Sequence, residues 1–306
     1  MSLTRRRFLT IASAACLVSP ARAGQAYHWT GTALGAKAQI VLDHPDAPRL
    51  AQQAMAEIDR LEDIFSLYRP ASQIARLNAQ GALEAPSFEL LECLTTARLV
   101  HRASDGAFDP TVQPLWTVLA EARQAGRAPD AADIAKARAR LGFDTVDIDS
   151  GQVTLGQGQA LTLNGIAQGY IADRVTALLR RAGVRDVLVD TGEIVALGTA
   201  PGQAGWPVRI KGDPRERLLS GRALATSSPK GMMLDPQSGQ GHILDPRAET
   251  PGPARVRQVS VSADSAALAD ALSTALSATN ERWQAQAVLS KVKGARLESY
   301  IPESRF

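Results

Sequence analysis

The period of the apolar positions changes several times along this chain, and each change marks an element. Residues 27–42 alternate in short runs and predict one or two strands, with a turn over Gly31-Thr-Ala-Leu-Gly35. Leu50, Ala54, Ile58, Leu61 and Phe65 then share one helical face. That helix ends near residues 66–70, and residues 72–78 predict a further helical turn. Ser87 is a fair N-cap for a helix to about Ala103, with Leu90, Leu94 and Ala97 inward. Residues 105–112 read as an irregular loop, Asp130 caps another helix, and residues 146–148 and 153–155 form a hairpin around Ser150-Gly151. Residues 160–163 predict the end of an apolar strand. A glycine-bearing turn (Asn164, Gly165, Gly169) then leads into a helix through Val175, Leu178 and Leu179 that stops at Gly183. Short strands follow at residues 187–189, 194–197, 208–210, 224–227, 242–244 and 256–261. Ser265 opens a helix with Leu268, Leu272 and Leu276 on one face. A helix through Trp283 and Leu289 and a strand near Tyr300 close the chain. Strands and helices do not alternate steadily enough for a parallel Rossmann sheet. The expected fold class is mixed α/β (α+β), one compact body with two lobes.

The first 23 residues read as a targeting signal rather than as fold. Arg5-Arg6-Arg7-Phe8-Leu9 is a twin-arginine signature, and Ala21-Arg22-Ala23 is an A-x-A cleavage site. The apolar stretch between them is too short to span a bilayer. The expected domains are therefore residues 1–23 as signal and 24–306 as one body, exported folded to the periplasm. Cys16 could be a lipid-attachment cysteine, but Ser13 three residues earlier argues against anchoring. Removing the signal also changes the charge. The formal +3 of the 306-residue chain includes four arginines of the signal, which holds no acidic residue. The remainder has 30 basic and 31 acidic residues, a net of −1, and no basic stripe with interleaved aromatics, which argues against nucleic-acid binding. Cys93 is then the only cysteine, so no internal disulfide forms, and its helical neighbours Leu90, Leu91 and Leu94 make it a core residue.

Five places could carry chemistry, and each has an ordinary alternative. Asp270 and Thr274, one helical turn apart, can both ligate a hard cation such as Mg²⁺. The same spacing fits a solvated helix face. His242, between a predicted strand and an Asp245-Pro246 turn, could be a base near neutral pH or a buttress of that turn. Tyr68, beside the Phe108-Asp109-Pro110-Thr111 loop, could stack on a planar ring or be half-buried packing. Asp190-Thr-Gly-Glu193 is either a cleft edge or only a turn. The turn over residues 162–173 could bring backbone and helix N–H groups to a phosphate, or its glycines could serve only packing.

Taken in order, these pieces resemble one family, the FAD:protein FMN transferases of the ApbE type. Leu34-Gly35-Ala36 stands where the family has Met-Gly-Thr. Phe65-Ser66-Leu67-Tyr68 with Ser72, Ile74 and Leu77-Asn78, Gly106 through Leu115, Thr162 through Asp173, Thr191-Gly192-Glu193-Ile194, Thr226-Ser227, His242 through Pro246 and Ala269 through Ala275 match its other blocks. The resemblance implies that FMN is moved from FAD to a threonine hydroxyl of a partner protein, with AMP released, in a Mg²⁺-dependent reaction. It implies that Asp270, Thr274 and the carbonyl of Gly165 hold Mg²⁺ and that Tyr68 stacks on the flavin. It further implies that Leu34, Ala107, Phe108, Asp109, Thr162, Gln168 and Ile243 line the FAD site, with His242 and Asp270 as the catalytic pair and His242 as the candidate base.

Two positions depart from the family pattern. Thr162 replaces an aspartate, and Gln168 a lysine or glutamate. This altered block, with the twin-arginine signal, looks like the NosX branch, associated with flavin loading of the membrane regulator NosR during nitrous-oxide reductase maturation (denitrification). The expected acceptor is accordingly a membrane flavoprotein domain, with no stable membrane insertion of this chain itself. The lost charges leave open a non-catalytic FAD carrier or chaperone, and a Mg²⁺-dependent FAD pyrophosphatase, which needs the same residues as transfer, stays open as well.

Overall fold

The computed structural model describes residues 17–18 and 26–303. The expected signal peptide falls outside the described residues apart from Leu17–Val18, whose backbone pairs antiparallel with Trp206–Arg209.

Seven strands make the central sheet: β1 (Tyr27–Ala33), β2 (Ala36–Leu42), β3 (Val187–Asp190), β4 (Ile194–Leu197), β5 (Arg222–Ser227), β6 (Val256–Ala263) and β7 (Arg296–Pro302). Each pairs antiparallel with the next in the chain. The sheet is thus a meander opened by insertions, and a parallel Rossmann arrangement is excluded, as the sequence suggested. The largest insertion lies between β2 and β3. It carries α1 (Ala47–Phe65), α2 (Gln73–Gln80), α3 (Phe88–Ala103), α4 (Gln113–Gln124), α5 (Ala131–Arg138) and α6 (Ala167–Arg181). Residues 228–255 form the β5–β6 connection. Helices α7 (Ala266–Leu276) and α8 (Arg282–Ser290) lie between β6 and β7.

The main core fills the space between one sheet face and α1, α3, α6 and α7. The other face is covered by Trp206, Val208 and Leu219 of a small hairpin. A separate cluster of Leu115, Leu119, Ala137, Leu234 and Leu244 joins α4 and α5 to residues 232–244, forming the second lobe. The helix starts behave as their sequences dictate: Ser72, Ser87, Asp130 and Ser265 each accept a first-turn N–H. Among the described residues no helix is long and apolar enough to cross a membrane.

Three expectations change. The β1–β2 turn is only Leu34-Gly35, both at positive φ (46° and 79°), not residues 31–35. Gly31 stays in β1 because the Trp29 ring lies over its Cα, where a side chain would collide. Residues 160–163 are not a strand. The Asn78 amide takes the place of a neighbouring strand, donating to Leu161 O (2.8 Å) and accepting from Leu161 N (2.7 Å). Residues 242–244 are irregular as well. A short ladder ends at Gly241, and the His242 N–H turns inward to Met232 O at 2.9 Å.

Candidate active site

The site is built on the contact between α6 and α7. Gly169, in the first turn of α6, packs so closely on α7 that a Cβ there would overlap the Ala266 carbonyl. Its N–H donates to Asp270 Oδ2 at 3.2 Å. One turn further along α6, Asp173 accepts the Ala266 and Ala267 N–H groups at 2.8 and 2.9 Å, anchoring the start of α7. Gly169 therefore serves helix packing, the ordinary reading. Gly165 serves the site: a Cβ there would sit 2.9 Å from Thr274 Oγ1 and 3.3 Å from the Phe108 ring. The N–H groups expected to await an anion are fewer than a bare helix start suggests. Those of Ala167 and Gly169 are taken by Leu163 O and Asp270, leaving the Gln168 amide.

Helix α7 is buried on nearly every side, so the solvated-face reading of Asp270 fails. Asp270 is 3% exposed. Burial, against the Gly169 hydrogen bond, pushes its carboxyl up to about 7. Glu193, which follows β3 and also lines the cleft, accepts the Thr226 N–H at 3.1 Å. Burial first, and then the nearby Asp270 carboxylate, push it well above the usual range. Thr274 Oγ1 lies 3.4 Å from Ser227 Oγ, which in turn bonds Ser273 Oγ at 2.7 Å.

Every residue the family resemblance assigned to the site lines one cleft of about 760 Å³: Leu34, Tyr68, Ala107, Phe108, Asp109, Thr162, Gly165, Gln168, His242, Ile243, Asp270 and Thr274; of the Asp190–Glu193 turn only Glu193 reaches it. Their side chains are not equally available. The Asp109 carboxylate is spent on Thr111 N (2.7 Å) and Phe143 N (3.3 Å), so it pins the loop that presents Ala107 and Phe108. Thr162 Oγ1 accepts the Asn164 N–H at 3.3 Å and shapes the turn. Tyr68 stands at the mouth, 44% exposed. Burial lowers the His242 pKa, keeping the ring neutral near pH 7. Its Nδ1 accepts the Met232 N–H at 3.3 Å, which puts the proton of the neutral ring on Nε2. In this arrangement His242 presents a donor. Taking up a proton as a base requires it to give up the Met232 bond.

Residues 31–296 match the ApbE family. The chain belongs to the ApbE family. A Klebsiella pneumoniae (strain 342) relative named FAD:protein FMN transferase is 30% identical over 246 residues, 74% of this chain and 73% of its own. A Chlamydia trachomatis protein of the same name is 28% identical over 261 residues, 81% and 82% of the two chains. Among solved structures, the ApbE protein of Thermotoga maritima superposes with a TM-score of 0.80 at 26% identity, covering 91% of this chain and 96% of that one. The apo flavinyl transferase ApbE of Pseudomonas stutzeri gives 0.77 at 26%, covering 92% and 97%.

The ApbE fold also brings in residues the sequence analysis did not place at the site. Arg69 is held by Asp59 (2.7 Å), Glu62 (2.5 Å) and Asp63 (2.6 Å), and Glu62 accepts the Leu34 N–H at 2.7 Å. This network fixes the β1–β2 turn against the Tyr68 segment. Its sequence signal is faint, since Asp59, Glu62 and Asp63 sit on the polar face of an amphipathic helix. Among the described residues lining this ApbE cleft, Arg69 is the one Lys or Arg, and it is already matched by carboxylates. Asp270 and Glu193 thus face the cleft with no cationic side chain against them. A cation fits that deficit, and the donors at hand are hard oxygens: the Asp270 carboxylate, the Thr274 hydroxyl and the Gly165 carbonyl. Among the described residues no three His, Cys, Asp or Glu side chains gather as a metal cluster.

Proposed function

We propose that this protein transfers FMN from FAD to a threonine hydroxyl of a partner protein, with AMP as the leaving group. The observation that carries the reading is the meeting of Gly165 with Thr274, and of Gly169 with Asp270, on the floor of a cleft large enough for a dinucleotide. The names borne by the ApbE-family relatives support the same activity.

In this reading FAD lies along the cleft, with its flavin against Tyr68 and its diphosphate over the Gly165 turn. Asp270, Thr274 and the Gly165 carbonyl hold Mg²⁺, which when bound neutralises charge on the diphosphate. The Gln168 amide is left to a phosphate oxygen. The threonine Oγ forms a bond to the FMN-side phosphorus, and the bond from that phosphorus to the bridging oxygen breaks, so AMP leaves with that oxygen. The hydroxyl proton passes to His242 Nε2 once its tautomer has shifted, or to water. Phe108, Ala107 and Ile243 keep solvent from the reacting phosphate. The chain works in the periplasm after twin-arginine export, and its acceptor is a flavoprotein domain of a membrane protein. The NosX-like replacement of charge by Thr162 and Gln168, with the twin-arginine signal, supports a NosR-type protein as that acceptor.

The test is a mixture of purified protein, FAD, Mg²⁺ and a threonine-bearing acceptor. A covalently fluorescent acceptor in a denaturing gel, with AMP released in equal amount, is expected. AMP released without any acceptor would turn the reading to a pyrophosphatase. FAD binding with neither product would turn it to a carrier.

A further inference from the structure

The two outer edges of the central sheet are finished differently. At one edge, β7 carries Arg296, Glu298 and Pro302, and its pairing with β6 is interrupted by two register shifts. The Glu298 carbonyl accepts from Arg217 of the small hairpin at 2.6 Å. Charges, a proline, bulges and a covered carbonyl are the devices by which proteins keep a sheet edge from pairing with another chain. At the other edge, β1 has none of them. Its seven residues, Tyr27-His-Trp-Thr-Gly-Thr-Ala33, include no Asp, Glu, Lys, Arg or Pro, and they pair with β2 in unbroken register. The charged side chain of this hairpin, Lys37, stands one strand further in, opposite Thr32. Among the described residues no strand pairs with the outer side of β1.

The two-residue turn decides which backbone groups face outward. Ala33 and Ala36, flanking Leu34-Gly35, form a hydrogen-bonded pair, so Gly31, Trp29 and Tyr27 also bond inward to β2. The N–H and C=O groups of His28, Thr30 and Thr32 then point away from the sheet, along about 15 Å of edge. The side chains of these three residues are exposed. On the other face, Tyr27 and Trp29 are partly buried against the core, and the Trp29 ring lies along the strand over Gly31. That ring offers an added neighbour an apolar contact beside the free hydrogen bonds. β1 then runs directly into the cleft: Leu34 and Gly35 line it, and Glu62 fixes the turn through the Leu34 N–H.

We propose that the free edge of β1 docks the acceptor polypeptide, as an extended segment added to the sheet as an eighth strand and held by the backbone groups of His28, Thr30 and Thr32. The segment sets an apolar side chain against Trp29 and polar ones beside Thr30 and Thr32, and its continuation passes the Leu34-Gly35 turn into the mouth of the cleft. The proposal rests on the transferase reading above. A threonine of a large partner reaches a phosphate inside the cleft only on a stretch of chain thin enough to enter. A strand docked at β1 delivers such a stretch to the mouth and leaves FAD its place. Pairing through the backbone also lets one transferase hold acceptors whose side chains differ.

The test uses the protein and a whole NosR-type protein in detergent, the acceptor proposed above. Without FAD, so that no transfer occurs, amide hydrogen exchange across residues 27–33 should slow about tenfold or more when the acceptor is added, with residues 296–302 unchanged. With FAD and Mg²⁺, Thr30→Pro removes the central outward N–H and should raise the acceptor KM about tenfold or more, while kcat and FAD affinity stay near the parent values. Thr30→Lys keeps the backbone and adds an edge charge; it should act in the same direction and serves if the proline variant folds poorly. Exchange that the acceptor does not slow, or a KM that neither variant moves, would overturn the proposal. So would slowing that follows the concentration of this chain alone, which would assign the edge to a second copy. FMN labelling with residues 27–33 unprotected sinks the edge alone, whereas protection with no label on the acceptor sinks the transferase reading alone.

Discussion

The floor of the cleft and its partition wall, residues 228–246, are built in opposite ways. The floor is regular helix: Gly169 and Asp173 of α6 clamp the first turn of α7, and that buried helix then presents Asp270 and Thr274. The partition is irregular chain. Its short ladder of Met233–Asp235 with Gln240–Gly241 has a register shift, and His242 is held by backbone bonds to Pro229 and Met232. Close packing leaves the floor one arrangement. Turns held by a few hydrogen bonds can be recut without disturbing the core. Such a division suits an enzyme that keeps one diphosphate chemistry and changes its protein acceptor.

The largest effect should come from the floor. Asp270→Ala removes the one carboxylate among the proposed metal donors and should lower FMN transfer by about 10³-fold or more, read as labelled acceptor per minute. A variant keeping a tenth of the parent rate would break the contrast at its base. Next come the two glycines four residues apart. Gly169→Ala drives a Cβ into the Ala266 carbonyl, which cannot yield without moving α7, and should cost about 3 kcal/mol of stability in thermal or urea unfolding. Gly165→Ala meets first the Thr274 and Phe108 side chains, not backbone. It should cost under about 1 kcal/mol while still cutting transfer sharply. Equal melting temperatures for the two would erase the distinction between a packing glycine and a site glycine.

The partition should respond more mildly. His242→Ala should slow transfer by about 10²-fold, with little change in melting temperature, because the residue sits in a turn rather than in the core. The smallest effect concerns Asp190, at the end of β3 beside Glu193. Burial raises its carboxyl from 3.8 to about 6, against the Gly192 N–H that it accepts at 3.0 Å. A raised acid stabilises the fold fully below pH 3.8, and that contribution is lost as pH climbs toward 6. Relative to Asp190→Asn, which keeps the same acceptor oxygen, the parent should lose about 2 kcal/mol of unfolding free energy between pH 4 and pH 6.5. Parallel stability curves for the two would show that Asp190 is better hydrated than its burial implies.

Local patterns foretold the helices well. The apolar stripe from Leu50 to Phe65, the caps at Ser87 and Ser265 and the stop at Gly183 are properties of adjacent residues, and the chain obeys them. Irregular segments were harder to read. Residues 160–163 and 242–244 look like strands because they are apolar and short. Yet the first is satisfied by the Asn78 amide from 83 residues away, and the second is turned in by Met232. No local pattern can announce such partners.

The same boundary runs through the site. By itself the sequence determined the fold class, the family resemblance and the residue types of the chemistry, because periodicity and ordered motifs survive in one dimension. It also named the residues that line the cleft. Only the tertiary structure separated the work of Gly165 from that of Gly169, tied the Asp109 carboxylate to Thr111 and Phe143, set the tautomer of His242 and exposed the Arg69 network. Burial, close approach and hydrogen-bond direction belong to pairs of residues far apart in the chain, and they exist only once the chain has folded.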